Sequence, residues 1–245
     1  MRFLTLIFVI TFSLFAKTTI EELRYESGIS IYGQIGYVNV KLEENLDKQT
    51  YKIQATTTST GIVKYLSSNR IDTFISEGNI TDGVYVPLKF TRITSKDNST
   101  KERVYTYNYE KKHIHKVETI KRLETKKELD FISMKMHEKS DTVVEVHEKY
   151  IDFQTNDFLS LYLNLQHGNL AYGKVPYIDM KKEDDLLFIK DNLFELHKDN
   201  GENKYAVHMI PSKKGIFFEK ITSLDIGFYG DAYIKKLSQR SRVLD

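Results

Sequence analysis

The sequence predicts a mainly β protein, a single curved antiparallel sheet or half-open barrel with one or two short covering helices. Three observations lead there. Apolar residues recur with a period of two in segment after segment, 16 Tyr and 14 Phe stand against 3 Pro, and a helical period surfaces clearly in one stretch. At 245 residues the chain is long enough for one large core. Its 40% hydrophobic and 29% charged residues are a globular balance, which excludes wholesale disorder and a polytopic membrane protein.

Charge and cysteine remove further classes. Lys plus Arg outnumber Asp plus Glu by 36 to 34, a net +2 that gathers no nucleic acid. With no cysteine, thiol nucleophiles, zinc–thiolate sites, disulfides and lipid-modified cysteines are all excluded.

The N-terminus carries an address. Met1-Arg2 is positive, Phe3 to Phe15 is an apolar run broken only by Thr5, Thr11 and Ser13, and Ala16 precedes Lys17. This reads as a signal peptide over 1–16, followed by one antiparallel β domain over 17–245. An uncleaved anchor or a buried strand is the alternative. Export without cysteine fits a Gram-negative periplasm and a mature form with no stable membrane insertion.

From Leu23 the alternation runs through Tyr25, Ile29 and Ile31, resumes after Gly33 with Ile35 and Tyr37, then changes phase to Val38, Val40 and Leu42. The change of phase predicts a bend or bulge. Tyr51, Ile53 and Ala55, and then Tyr105, Tyr107 and Tyr109, keep the period of two, as half-buried strands do. Val143 to Phe153 is a strand with one wet face, and Lys121 to Lys127 reads as a charged edge strand. Asn200-Gly201 predicts a tight hairpin in which Phe194 faces Val207 and Leu196 faces Tyr205.

Phe158, Leu161, Tyr162 and Leu165 recur at i, i+3, i+4 and i+7, with Asn156 or Asp157 as N-cap and Gly168 as the stop. This spacing predicts about ten residues of amphipathic helix that covers one end of the core as a plug or as a lid. Shorter helical turns are expected near Gly61 to Leu66 and Thr18 to Leu23. The whole amounts to ten or so strands curled around an aromatic core.

Catalytic motifs are missing. His137-Glu138 and His147-Glu148 do not complete H-E-x-x-H, because Asp141 and Ile151 occupy the fourth positions. If Lys139 to Thr142 closes a hairpin, the two histidines face opposite sides and share no metal, whereas an odd-length loop would reverse that parity. His113 and His115 share a face without a third donor in view. Gly33-Gln34-Ile35-Gly36 reads as a strand bend, while Glu183-Asp184-Asp185, Asp225 and Asp231 read as solvated turn residues. No Walker loop, nucleophile elbow or dinucleotide fingerprint occurs. No cofactor, metal or catalytic residue is therefore expected, and the chain reads as no enzyme. The two glycines around Phe228 and Tyr229 suggest either an aromatic loop gripping an apolar ligand or a bent edge strand. Phe158, Tyr162, Phe228 and Tyr229 are the candidate ligand-binding residues.

Tyr25 to Val40 with Gly33, Tyr51 to Thr58, Gly78 to Pro87 with Gly83, and Asp157-Phe-Leu-Ser-Leu-Tyr followed by Gly173 resemble an uncharacterised family of exported bacterial periplasmic proteins. The resemblance covers most of the mature chain and departs from the family at Gly227 to Gly230 and the charged tail. It implies a curved sheet similar to the half-barrel of periplasmic lipoprotein carriers, which shelter acyl chains in an apolar concavity. The expectation is a non-catalytic periplasmic protein that binds an apolar ligand or an envelope partner, such as a lipid, a lipoprotein or an envelope protein. The alternatives are a hydrolase with a carboxylate/histidine site and an outer-membrane barrel. The barrel is disfavoured by charges on many faces and by the ending Arg242-Val243-Leu244-Asp245.

Overall fold

The computed structural model describes residues 18–30, 32–130, 135–178, 185–190, 193–197, 203–210, 218–224 and 231–244. The N-terminal half supplies β1 (Thr18–Ile29), β2 (Gly33–Asn45), β3 (Thr50–Ser59), β4 (Ile71–Thr81), β5 (Val84–Lys96), β6 (Ser99–Asn108), β7 (His113–Asp130) and β8 (Lys135–Asp152). Helix α1 (Gly61–Leu66) joins β3 to β4, and α2 (Phe158–Gln166) follows β8. Then come β9 (Gly173–Lys174), β10 (Asp185–Lys190), β11 (Leu193–His197), β12 (Asn203–Ile210), β13 (Lys220–Leu224) and β14 (Ala232–Leu244).

All fourteen strands form one antiparallel sheet, in the order β8-β7-β6-β5-β4-β3-β2-β1-β14-β13-β12-β11-β10-β9. The sheet is curved and not closed. Two meanders meet where β1 pairs with β2 on one side and with β14 on the other. We call β1–β8 the N-terminal wing and β9–β14 the C-terminal wing.

Alternation puts one row of each strand into the concavity. Leu23, Tyr25, Leu42, Tyr51, Ile53, Ala55, Phe90, Tyr105, Tyr107 and Ile114 are all buried, as members of one core cluster. Between them Thr106, Lys52 and Lys41 face water. A second cluster belongs to the C-terminal wing and contains Val175, Leu186, Phe188, Phe194 and Phe218. Helix α2 joins the two. Leu159 and Leu163 enter the first cluster, Leu161 and Leu165 the second, and Tyr162 packs against both.

The predicted register of Phe194 with Val207 and Leu196 with Tyr205 is present, although it slips by one residue at His197, which pairs with Asn203. Asn200-Gly201 itself lies outside the described residues. The change of phase in β2 has its counterpart in a register shift opposite Ser27/Gly28, which leaves Ile35 without a partner in the ladder. Gly33, at φ +69°, opens β2 directly after the hairpin turn, so it punctuates two strands rather than bending one.

Four expectations need correction. Thr18 to Leu23 is strand, because pairing with both β2 and β14 overrides a helical signal of barely one turn. Lys121 to Lys127 lies in β7, next to the edge, and β8 is the edge strand. The strands number fourteen among the described residues, not ten or so. Lys139 to Thr142 is not a loop: β8 runs unbroken through it, and its ladder with β7 continues past it to the pair Asp130 and Lys135. His137 and His147 therefore stand ten positions apart on one strand, ~33 Å at ~3.3 Å per residue. Distance, not parity, separates them.

Candidate functional site

The site is built around α2. Its N-cap is Asp157, whose Oδ1 accepts from the backbone N–H groups of Leu159 (2.8 Å) and Ser160 (2.9 Å). Ser160 Oγ in turn accepts from Asp157 N at 2.9 Å, which completes a capping box. At the other end His167 is the C-cap, and Gly168 with φ +71° is the predicted stop.

The helix is fastened to the N-terminal wing by hydrogen bonds. Ser76 Oγ, on β4, donates to Asp157 Oδ2 at 2.7 Å, and Tyr51 Oη on β3 lies 3.0 Å from the same hydroxyl. Pairing between β5 and β6 begins at Lys89, and Asn164 meets the backbone of Tyr85 upstream of that point. Its Oδ1 accepts from Tyr85 N (2.8 Å) and its Nδ2 donates to Tyr85 O (2.9 Å). Tyr85 Oη also donates to Glu44 and lies 3.0 Å from His167 Nε2. Asn169 Nδ2 donates to Gly83 O at 2.8 Å. Asp157 and Ser76 are fully buried and Asn164 nearly so, hence the bonds of these three form where an unmet partner would be costly, whereas the Asn169 bond is exposed.

Towards the C-terminal wing the same helix is mostly apolar. Leu161, Tyr162 and Phe158 face Leu186, Phe194 and Met209 across a cavity of about 110 Å³. The polar contacts on this side come from Tyr162, whose Oη accepts from Phe218 N at 3.4 Å and hydrogen-bonds Tyr25. Tyr25 Oη donates to Phe218 O at 3.3 Å. Burial pushes the Tyr162 phenol up to about 12, so it is neutral at any ordinary pH.

A second cavity, about 250 Å³, adjoins on the N-terminal side. Phe74, Phe90, Arg92 and Ile178 line it, and Phe158 and Tyr177 are shared with the first. Beyond it the concave face becomes charged. Asp72 takes a bidentate contact from Arg70 (2.6 and 3.0 Å) and a bond from Thr94 (2.6 Å). Glu118 takes Arg103 (2.6 Å) and Lys101 (2.9 Å). Burial works to raise both carboxyls, but the hydrogen bonds outweigh it, holding Asp72 below its ordinary value and Glu118 at about 2.

The convex face has a polar depression of about 450 Å³ near Arg24, Lys41, Gln54 and Arg240. There Arg24 lies over the Tyr37 ring, 4.2 Å from its centre, and Lys41 pairs with Glu43 at 2.5 Å. This is the solvated side of the sheet.

Of the residues singled out from the sequence, Phe158 (48% exposed) and Tyr162 come together on the wall of the apolar cavity. Phe228 and Tyr229 lie outside the described residues, as do Glu183, Asp184, Asp225 and the segment 1–17. His113 and His115 share a face as expected, and both rings contact Tyr150, with centroids 4.7 and 5.0 Å away.

Sequence reasoning missed Ser76, Asn164, Arg92 and Tyr177. Ser76 had a signal, a polar residue in the inward phase of Phe74-x-Ser76-x-Gly78. Asn164 had one too, between Leu163 and Leu165.

Asp157, Ser76 and Tyr51 make a carboxylate–hydroxyl–phenol chain, but its chemistry is structural. The Ser76 hydroxyl donates to the carboxylate and is fully buried, so it cannot reach a substrate. Burial raises the Asp157 carboxyl to about 6 even though Ser76, Ser160 and Leu159 all donate to it.

Among the described residues no three acidic or histidine side chains gather to hold a metal ion. No helix there is long and apolar enough to cross a membrane. The sequence model of one family, described as "Protein of unknown function (DUF3108)", matches residues 22–162, that is β1 through the first half of α2. Residues 163–245 lie outside that match. No curated protein matches the chain.

Proposed function

The chain belongs to the DUF3108 family, whose function is unknown, and from its own site we propose that it is an exported, non-catalytic binding protein. It holds an apolar ligand in the concavity between α2 and the C-terminal wing. The observation that carries this reading is the cavity walled by Phe158, Leu161, Tyr162, Leu186, Phe194 and Met209. It is a concave, predominantly apolar space with a phenol at its border, the kind of lining small-molecule sites have, and its leucine, phenylalanine and methionine walls can repack to admit a ligand larger than its volume of about 110 Å³. The apolar run before Ala16 supports export to the periplasm, and the single sheet supports one domain after that segment. The carboxylate with the most raised affinity for a proton, Asp157, is consumed as a helix cap, which weighs against the hydrolase alternative.

The test is a titration of the purified full chain with N-phenyl-1-naphthylamine, a neutral apolar fluorophore. Saturable one-site binding is expected, and Met209→Trp, which fills the cavity, should abolish it while the fold persists by circular dichroism. Unchanged binding in that variant, or no saturable binding by the parent, would overturn the assignment. N-terminal sequencing of protein from the envelope fraction checks export separately: a chain starting at Lys17 is expected, and Met1 on a cytoplasmic protein contradicts it.

A further inference from the structure

Strand β8 ends the sheet, and among the described residues no strand pairs with its outer side. It runs 18 residues without a proline, and its ladder with β7 has no register shift. Chains that stay monomeric blunt such an edge by keeping it short, bulged or interrupted by proline. Val144, Val146 and Tyr150, on the convex side of β8, are exposed. We infer that β8 pairs antiparallel with β8 of a second copy of this chain, centred on His147, to give a two-fold dimer with one sheet running through both copies.

Edge charges usually deter pairing of this kind. Here they select its register. In a two-fold antiparallel pair the axis runs perpendicular to the sheet, so one residue lies opposite itself and its neighbours pair symmetrically on the same face. Centring on Glu145, Glu148 or Lys149 sets a charge against itself. Centring on Val143 sets Asp141 against Glu145, and centring on Tyr150 sets Glu148 against Asp152. Val144 and Val146 as centres bring no lysine opposite a carboxylate within residues 140–152.

His147 as the centre sets Glu145 opposite Lys149 of the second copy, and symmetry repeats that pair. The same register sets Val144 against Tyr150 on the convex face and Val143 against Ile151 on the concave one, both apolar pairs of the kind that stabilise a ladder. Glu145 takes Arg122 on Oε1 at 2.6 Å, and its Oε2 lies 3.7 Å from His147 Nε2. A carboxylate accepts at both oxygens, so an ammonium can join there.

The chain contains no cysteine, so single cysteines report the register cleanly. Oxidation of His147→Cys with diamide should trap a covalent dimer, because Cβ atoms directly opposite each other lie ~5 Å apart. Val144→Cys should stay uncrosslinked, since the two copies of that position are offset by about six residues, ~20 Å. Sedimentation equilibrium of the full chain should show a reversible dimer. Glu145→Lys and Lys149→Glu should each weaken it about tenfold or more, and mixing the two variants in equal amounts should restore it, because each then meets the opposite charge at both pairs. A parent that stays monomeric at ~100 µM overturns the inference and leaves the edge to a strand of a different protein. Crosslinking of Val144→Cys in place of His147→Cys overturns it too, as does a mixture no tighter than its components. Circular dichroism checks that each variant folds. If a charge variant does not, the two cysteine variants, both at exposed positions, decide alone. None of these outcomes bears on the apolar site.

Discussion

The two wings of the sheet hold α2 by different means. On the N-terminal wing the strands run 10–18 residues, and the helix is fixed to β4 and β5 by Asp157 and Asn164, and the residues after it to the β4–β5 turn by Asn169, in hydrogen bonds of 2.7–2.9 Å. On the C-terminal wing β9 to β13 run 2–8 residues, and contact rests on leucines, rings and the Tyr162 hydroxyl. Hydrogen bonds are directional and costly to leave unmet, whereas apolar contacts tolerate repacking. The helix is therefore a plug with respect to one wing and the wall of an adaptable cavity with respect to the other. The family match, residues 22–162, covers the wing that grips and stops inside the helix.

Paired truncations should expose that asymmetry most strongly. Leu163 is fully buried in the N-terminal cluster, and Leu163→Ala should cost ~3–5 kcal/mol by opening a void in a tightly packed place. Leu161→Ala, beside an existing cavity, should cost ~2 kcal/mol, near the low end for such a change, while reducing naphthylamine affinity. Urea unfolding of both variants measures the difference, and equal costs would erase the distinction between the wings. Asn164→Ala comes next. It leaves the N–H and C=O of Tyr85 without their buried partner and should cost ~1–3 kcal/mol, with little effect on ligand affinity.

The smallest effect at neutral pH is the most diagnostic. Burial raises the Asp157 carboxyl from 3.8 to about 6, so the fold prefers the protonated form. Its contribution is fully present below the unfolded value near 4 and is lost as pH rises through 6. Asp157→Asn keeps a good N-cap and removes the titration. The parent should therefore gain stability relative to Asp157→Asn between pH 7 and 4, by an amount on the order of 2–3 kcal/mol. Asp72 and Glu118, which are held low, weaken the fold only as pH falls below the ordinary carboxylate range, and they do so in both proteins. Parallel stability–pH curves for the two proteins would mean that Asp157 does not titrate in this window.

Local pattern carried much of this into the sequence. The alternations at Tyr51/Ile53/Ala55 and Tyr105/Tyr107 are short-range consequences of the pleat, and these residues line the core as that pattern requires. The cap at Asp157 and the stop at Gly168 are equally local. What escaped was set at long range. A single helical stripe through Phe158, Leu161, Tyr162 and Leu165 accounts for only one partner, but α2 has a wing on each side, so Leu159 and Leu163 form a second buried row and Phe158 stays half out. The β7–β8 turn carries no Gly or Pro between Lys126 and Lys139, which moved the expected loop to the wrong place. Arg92 is one arginine among several in sequence. It becomes part of a site only when Phe74, from β4, and Phe158 and Tyr177, from the segment after β8, assemble around it.

Hydrogen exchange read by mass spectrometry, with and without N-phenyl-1-naphthylamine, tests the unequal grip most directly. Without ligand, the amides of α2 should exchange as slowly as those of β4 and β5, and those of β10 to β12 faster. Added naphthylamine, bound in the cavity lined by Leu186, Phe194, Met209 and Ile221, should slow exchange across β10 to β13 and leave β3 to β5 unchanged. Exchange of α2 in step with the C-terminal wing, or ligand protection spread evenly over both wings, would contradict the account.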